Sequence, residues 1–423
     1  MMAQYDFRFC SAFGYPLRVQ RQLTQIVNRV LERVCSVESI LVVGSTARGE
    51  LSYIDTEDDL RLFSDYELVL LTQREVNCKK RYSLALEVDQ LGRCLNPGNP
   101  LFHVDLAWYP LHRLPRLRHT VAIFEQKKTG KVVWGKDYRH LMPEITIQSL
   151  SKKDVNEILY KRLWALLLYL PQEFFKSSLT SEIKDVATYV LVRNALDLTT
   201  VLLPYAGVLL PTYAQRVEYL ADNYGRLELE RVFGPKFPRF LAACLEGRDI
   251  LSWEGSLFVL YAQVVGYLEH TLRYLLARQG QAVDDVSRAI QAYSPLIFRE
   301  WLPRRAEIKH ALRVLRGRLS LQQAIRWPGL SHKGLLTACL IQIHRSMIAH
   351  LSGNRPEAHA ALQLAQSLLD PLISRPLSRL NFDGPFIRSW LALRRDCGYF
   401  WWEFVRRGGP VSCQRIRALT DYV

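Results

Sequence analysis

The sequence predicts an α+β protein: a small strand-and-helix domain followed by an all-α helical region. Three observations predict it. Short apolar runs rich in β-branched residues, over 40–43, 66–71 and 101–109, each end at a turn residue or a proline. Apolar residues at helical spacing precede and separate these runs. From Ser151 onward no convincing strand follows, only helical spacing. The expected units are residues 1–147, 148–280 and 281–423.

The elements follow in order. Over 17–34, Val19, Leu23, Ile26, Val27, Val30 and Leu31 fall on one face of a helix. The segment 36–39 breaks it, and 40–43 is a short strand ending at Gly44. The acidic segment 50–63, with Glu57, Asp58 and Asp59, reads as a loop or short helix. A strand over 66–71 ends at Thr72, and a helical stretch over 74–95 closes at the turn cluster 96–100. A third strand over 101–109 stops at Pro110. A basic stretch, 111–119, leads to an amphipathic piece around 121–124 and a small strand over 132–134.

Beyond it, Ser151-x-x-Asp154 marks a helix start, and the helix over 155–170 stops at Pro171. The longest clean helix spans 181–203 and ends at Pro204; others begin at Tyr213 and Leu257. Residues 280–285 read as a linker. Helices are expected near 287–292, 307–316, 332–350 and 357–369, the last two joined as a hairpin through 352–356.

Composition narrows the function classes. At 49% hydrophobic and 23% charged residues the 423-residue chain is an ordinary globular one. The first ten residues lack the apolar core of a signal peptide. The most apolar run, 199–210, is short and broken by Pro204 and Gly207, so no membrane span is expected. Eight scattered cysteines without a Cys-x-x-Cys pair read as reduced thiols of a cytoplasmic protein. A net charge of +15 favours anionic partners, although an Arg-rich proteome would give the same sign.

The chemistry concentrates between Ile40 and Asp105. Asp65 and Glu67 are two apart, so on a strand both carboxylates share one face. Asp105 stands between Val104 and Leu106 in a strand expected to be buried, where a lone carboxylate is costly unless paired or metal-bound. Three hard oxygen donors on neighbouring strands suit one or two magnesium ions, and Asp105 could receive an acceptor's hydroxyl proton. Gly44 lets backbone approach a phosphate, Ser45 adds a donor, and Arg48 could grip a phosphate with two bonds. Each feature alone is commonplace: a turn, an edge charge, a carboxylate satisfied by backbone. The three in order, each beside its own apolar run, carry the reading.

The pattern Gly44-Ser45-x-x-Arg48-Gly49, then Ser64-Asp65-Tyr66-Glu67-Leu68, then Val104-Asp105-Leu106 resembles the DNA polymerase β-type nucleotidyltransferase superfamily, closest to its minimal and aminoglycoside nucleotidyltransferase-like branch. The resemblance covers about the first third of the chain. It implies a small mixed sheet with helices, and a helical domain that closes a nucleotide cleft. It implies phosphate binding at Gly44 and Ser45, and magnesium (or manganese) held by Asp65, Glu67 and Asp105, the last also a base. One departure is a long spacing between Ser45 and Asp65, which an insertion over 50–63 would explain. It makes Asp58 or Asp59 rival ligands. Relatives carry a basic residue for the triphosphate in the helical part. Candidates are Lys161, Arg162, Lys184 and Arg193, with Lys184 preferred because Asp197 stands at i+4 from Arg193.

Other constellations are weaker. His103, His112 and His119 match no zinc spacing and read as structural or solvated. The aromatics over 399–404 and Arg406-Arg407 could stack bases or simply pack. The expected activity is transfer of a nucleoside monophosphate from an NTP to a hydroxyl. The basic balance favours an RNA 3′ end, a nucleotide or an anionic small molecule over a polycationic aminoglycoside; a protein hydroxyl stays open. The alternative is a nucleotide- or nucleic-acid-binding regulatory protein without turnover.

Overall fold

A computed structural model describes residues 5–97, 99, 102–175, 179–249, 251–281, 284–297, 332–370 and 385–405. The first unit opens with a short helix, α1 (Arg8–Ala12), and the amphipathic α2 (Leu17–Arg33). Then come β1 (Val37–Val43), the one-turn α3 (Gly44–Arg48), a hairpin of β2 (Tyr53–Asp55) and β3 (Leu60–Leu62), and β4 (Tyr66–Thr72). The helix α4 (Cys78–Leu95), β5 (Val104–Pro110), α5 (Val121–Thr129) and β6 (Lys131–Gly135) complete it. The main sheet runs β5-β4-β1-β6. Its β4 and β5 are parallel, and β1 is antiparallel to both β4 and β6, so the sheet is mixed.

Strand period 2 builds two apolar faces. Ile40, Val42, Leu68 and Leu70 pack with Val19, Leu23, Ile26 and Val88 from α2 and α4. Leu41, Val43, Val69 and Leu71 form the other face with Leu114 and Met142. The five residues placed inward on α2, Val19 through Val30, are fully buried, and Leu31 packs at the rim of the same core.

The helical region holds α6 (Lys152–Tyr169), α7 (Ser181–Tyr205), α8 (Tyr213–Asn223), the short α9 (Glu230–Phe233), α10 (Phe237–Asp249), α11 (Leu257–Ala277) and α12 (Val286–Ile297). Three more helices span His332–Leu351, Arg355–Leu369 and Phe386–Val405. Among the described residues no strand follows β6. The chain is therefore mixed α+β, with a small mixed sheet and many helices. By length and composition Ser181–Tyr205 could cross a membrane, its apolar 18-residue window having mean hydropathy 1.4, but 89% of that window is buried inside the protein, as in a core helix.

Several elements differ from the sequence expectation. Segment 50–63 is neither loop nor helix: it carries the β2–β3 hairpin, whose short, half-exposed strands give almost no periodic signal. Pro204 does not end its helix; it sits in the last turn of α7, which runs on to Tyr205. The helix start expected at Ser151 holds, since Ser151 is the N-cap of α6, although without a side-chain bond; Thr180 caps α7 by accepting from the Ile183 amide. The expected helix over 307–316, Arg406 and Arg407 lie outside the described residues, as do the side chains of 399–404.

Helices on both sides of residue 280 share one apolar core. Tyr261 donates its hydroxyl proton to His344 Nδ1 at 2.7 Å, and His344 Nε2 donates to the Leu163 carbonyl at 3.1 Å. That pattern needs a neutral imidazole, and burial pushes His344 down to about 4. The cysteines at 10, 35, 78, 94, 244, 339 and 397 are free thiols.

Candidate functional site

Register assembles the site. Because β1 runs antiparallel to β4, its last residue, Val43, pairs with Glu67 near the start of β4. Because β5 runs parallel to β4, Glu67 pairs directly with Asp105. The C-terminal end of β1, with Gly44-Ser45, therefore meets the N-terminal starts of β4 and β5. Asp65, Glu67 and Asp105 lie on one sheet face, in line with Val69, Leu71 and Ala107.

Gly44 has φ +67°, a left-handed conformation that a glycine adopts without cost. A Cβ on it would stand 2.7 Å from the Glu67 carboxyl carbon. The glycine thus leaves room for a carboxylate of its own chain, where the sequence suggested only room for a phosphate. Gly44→Ala is expected to lower stability by about 1–3 kcal/mol, from backbone strain, and to displace Glu67. Thermal melts and ATP-dependent Mn2+ binding would both register it.

Glu67 is partly buried. Its carboxyl is held above the ordinary value of 4.5 by burial first, then by the like charge of Asp105, with a smaller push from Asp65; Arg48 and Arg193 pull the other way. Rising pH therefore costs folding free energy as this proton is lost, from 4.5 upward. A cation bound there must displace the same proton. Mn2+ affinity in the presence of ATP is expected to weaken as pH is lowered toward 4.5 and Glu67 takes up its proton, and Glu67→Gln should flatten that dependence.

An open cleft lies at this end of the sheet. Ser45, Asp65 and Glu67 line it together with Arg193 from α7 and Arg248 from α10. Arg193 donates to the Tyr189 hydroxyl at 3.0 Å and stands 3.9 Å from Asp65 Oδ2. Arg248 is buried, its guanidinium over the Tyr213 ring at 5.4 Å, and its Nε has no partner. Negative and positive side chains thus line one opening.

Ser45, Arg48, Asp65 and Glu67 line the cleft. Asp105 does not, and its strand is the sheet edge rather than a buried one, leaving the Asp105 side chain 49% exposed. Its carboxylate is therefore half solvated and carries no large burial cost, contrary to the expectation of a buried strand. His103, read as structural or solvated, joins the two aspartates: Nδ1 contacts Asp65, and Nε2 lies 3.1 Å from Asp105 Oδ2. Asp58 and Asp59 are exposed at the hairpin tip and line no part of the cleft.

Lys184 is exposed on the first turns of α7 and does not line the cleft, whereas Arg193 does. Asp197, the expected partner of Arg193, instead pairs with Arg162 at 3.2 Å and accepts from the Tyr213 hydroxyl at 2.7 Å. Arg248 was missed because α10 lacks a clean stripe in sequence. Its sequence signal is no more than an arginine near the end of the segment 237–249, which also carries Arg239.

Arg48 is committed to carboxylates rather than open for a phosphate. Its Nε reaches Glu50 at 2.6 Å and its Nη1 reaches Glu125 at 2.7 Å. Burial disfavours the charged Arg48, but Glu125 and Glu50 outweigh it and raise its pKa. Glu125 also accepts from Arg216 of α8, and Glu50 from the Tyr213 amide. This network ties the sheet unit to the helical unit beside the cleft.

The donors fit a hard divalent cation in kind, since Asp65 and Glu67 offer carboxylate oxygens in one cleft. Among the described residues no three acidic, His or Cys side chains form a ready metal cage. Magnesium is commonly held by one or two carboxylates together with substrate phosphates, so two carboxylates beside two arginines suit a metal that arrives with a triphosphate. Compared with protein-family models, curated proteins and solved structures, the chain matches none of them.

Proposed function

We propose that this cleft transfers a nucleoside monophosphate from a nucleoside triphosphate to a hydroxyl acceptor. The observation that carries the reading is the convergence of Asp65, Glu67, Arg193 and Arg248 on one opening beside Gly44-Ser45. A triphosphate needs cationic side chains along its oxygens, and a carboxylate pair is of no use to it without a cation between.

Asp65 and Glu67 would hold magnesium or manganese, with Asp105 joining on release from His103. Bound magnesium would neutralise charge on the triphosphate and the departing oxygen. Arg193 and Arg248 would orient the phosphates, and Ser45 would donate to them. The acceptor oxygen bonds to the α-phosphorus, the bond to the β-bridging oxygen breaks, and pyrophosphate leaves. The acceptor's proton passes to Asp105, whose exposure lets it return the proton to solvent. The resemblance of the first third of the chain to polymerase β-type nucleotidyltransferases supports the same assignment.

A second reading, nucleotide binding without turnover, is favoured by one feature: His103 bridges Asp65 and Asp105. Label transfer separates the two. The chain would be incubated with α-labelled NTPs and magnesium or manganese, against RNA, protein and small-molecule fractions. Transfer into one fraction, lost in Asp105→Ala, supports turnover. No transfer into any fraction, with ATP still bound, sinks it. The basic balance favours RNA or another anionic acceptor; RNA binding that does not weaken with salt would remove RNA.

A further inference from the structure

A second open cleft adjoins the first and shares Asp65, Tyr189 and Arg193 with it. Its other walls differ in kind. Phe63, Tyr169 and Tyr189 bring three aromatic rings from the hairpin end, α6 and α7, with Phe63 and Tyr189 at 6.0 Å between centroids. Asn194, one residue past Arg193, also lines it and is 1% exposed. Its Nδ2 donates to the Val190 carbonyl at 2.5 Å. Only the amide nitrogen can donate to a carbonyl, so the orientation of Asn194 is fixed. That leaves Oδ1 as a buried acceptor with no partner. A buried acceptor without a donor costs about 1–3 kcal/mol, which a ligand's N–H would relieve.

We infer that this second cleft seats the nucleobase of the donor, an inference that rests on the proposed function of the first. A flat aromatic ligand fits walls built of rings, and stacking on them is tolerant of base identity. A base edge supplies the N–H that Asn194 Oδ1 lacks. Arg193, common to both clefts, lies where the phosphates of such a ligand would meet its nucleoside. The two clefts then form one site for a whole nucleoside triphosphate, with Asn194 and Tyr169 determining its affinity for the nucleoside and not for the phosphates.

The test measures binding of ATP, CTP, GTP and UTP, each with Mn2+, against inorganic tripolyphosphate, in the full chain and in Tyr169→Leu, Asn194→Ala and Arg193→Ala. Loss of one stacking or edge contact is worth at least about a fivefold change in affinity. Tyr169→Leu and Asn194→Ala should each weaken nucleotide binding by that much and leave tripolyphosphate binding unchanged. Tyr169→Leu keeps an apolar side chain and serves if Asn194→Ala fails to fold. Arg193→Ala should weaken both kinds of ligand. Unchanged nucleotide affinity in Tyr169→Leu, or equal weakening of tripolyphosphate, overturns the nucleobase assignment while leaving the phosphate cleft in place. If the unaltered chain binds neither ligand, or Arg193→Ala changes neither affinity, the first cleft's function fails and this inference falls with it.

Discussion

Asp65→Ala is expected to abolish nucleotidyl transfer, with a fall of at least about 10²-fold in kcat/KM. Asp65 lines the cleft, contacts His103 and stands 3.9 Å from Arg193. Its removal takes one carboxylate from the cation and leaves the opposing arginines in excess. The sign of the binding effect therefore separates roles. Metal-free ATP should bind as well as before or more tightly, because a negative charge beside the phosphates is gone. Mn2+ binding in the presence of ATP should weaken. A merely structural aspartate would lose both kinds of binding along with stability. The residue lies just outside β4, at the sheet's end, so its removal leaves the strand pairing from Tyr66 onward intact.

Arg48→Ala is expected to destabilise the chain by about 3 kcal/mol, read as a lower urea midpoint. Its guanidinium sits between Glu50 and Glu125, all three side chains no more than 15% exposed. Deleting the cation leaves two sequestered carboxylates, of which Glu125 retains Arg216 and Glu50 retains only the Tyr213 amide. Unpaired buried charge, and not the lost attraction, sets the size of the effect. Adding Glu50→Gln to Arg48→Ala should recover part of the loss, since contacting residues do not act additively. Arg48→Lys should recover little, because one ammonium cannot span both carboxylates as the guanidinium fork does. The same network joins the two sides of the cleft, so the double variant also tests whether cleft geometry depends on it.

The parts of this fold legible in sequence are those where periodicity and burial coincide. The α2 stripe, β4 and the end of β1 at Gly44 follow from the side-chain pattern, because each has one wholly buried face. The hairpin over Tyr53–Leu62 was not legible, as its three-residue strands are too short to show alternation. Of the candidate site, the acidic side was visible: Asp65 and Glu67 do share a face and line one cleft. The basic side was not. Lys184 and Arg193 lie on the same helix, and spacing alone pairs Arg193 with Asp197. Only the fold reveals that Arg162 and Tyr213 satisfy Asp197 and that Arg193 turns to the cleft. Arg48 shows the converse. Its place beside Gly44-Ser45 suggested a phosphate, but Glu125, 77 residues away in sequence, takes that role. Long-range ion pairs leave no trace in local pattern, and they decide which arginines a ligand can reach. His103 belongs to the same class, since its two aspartate contacts depend on the β4–β5 register.

The central claim is nucleotidyl transfer, and the fate of the two ends of ATP tests it most directly. The chain would be incubated with magnesium and an acceptor fraction, in parallel with α-labelled and γ-labelled ATP, and both the acceptor and the released phosphates resolved. The expected result is α-label on the acceptor and γ-label in pyrophosphate, with neither product formed by Asp65→Ala. Gamma-label on the acceptor, or ATP bound and recovered intact in every fraction, would contradict it.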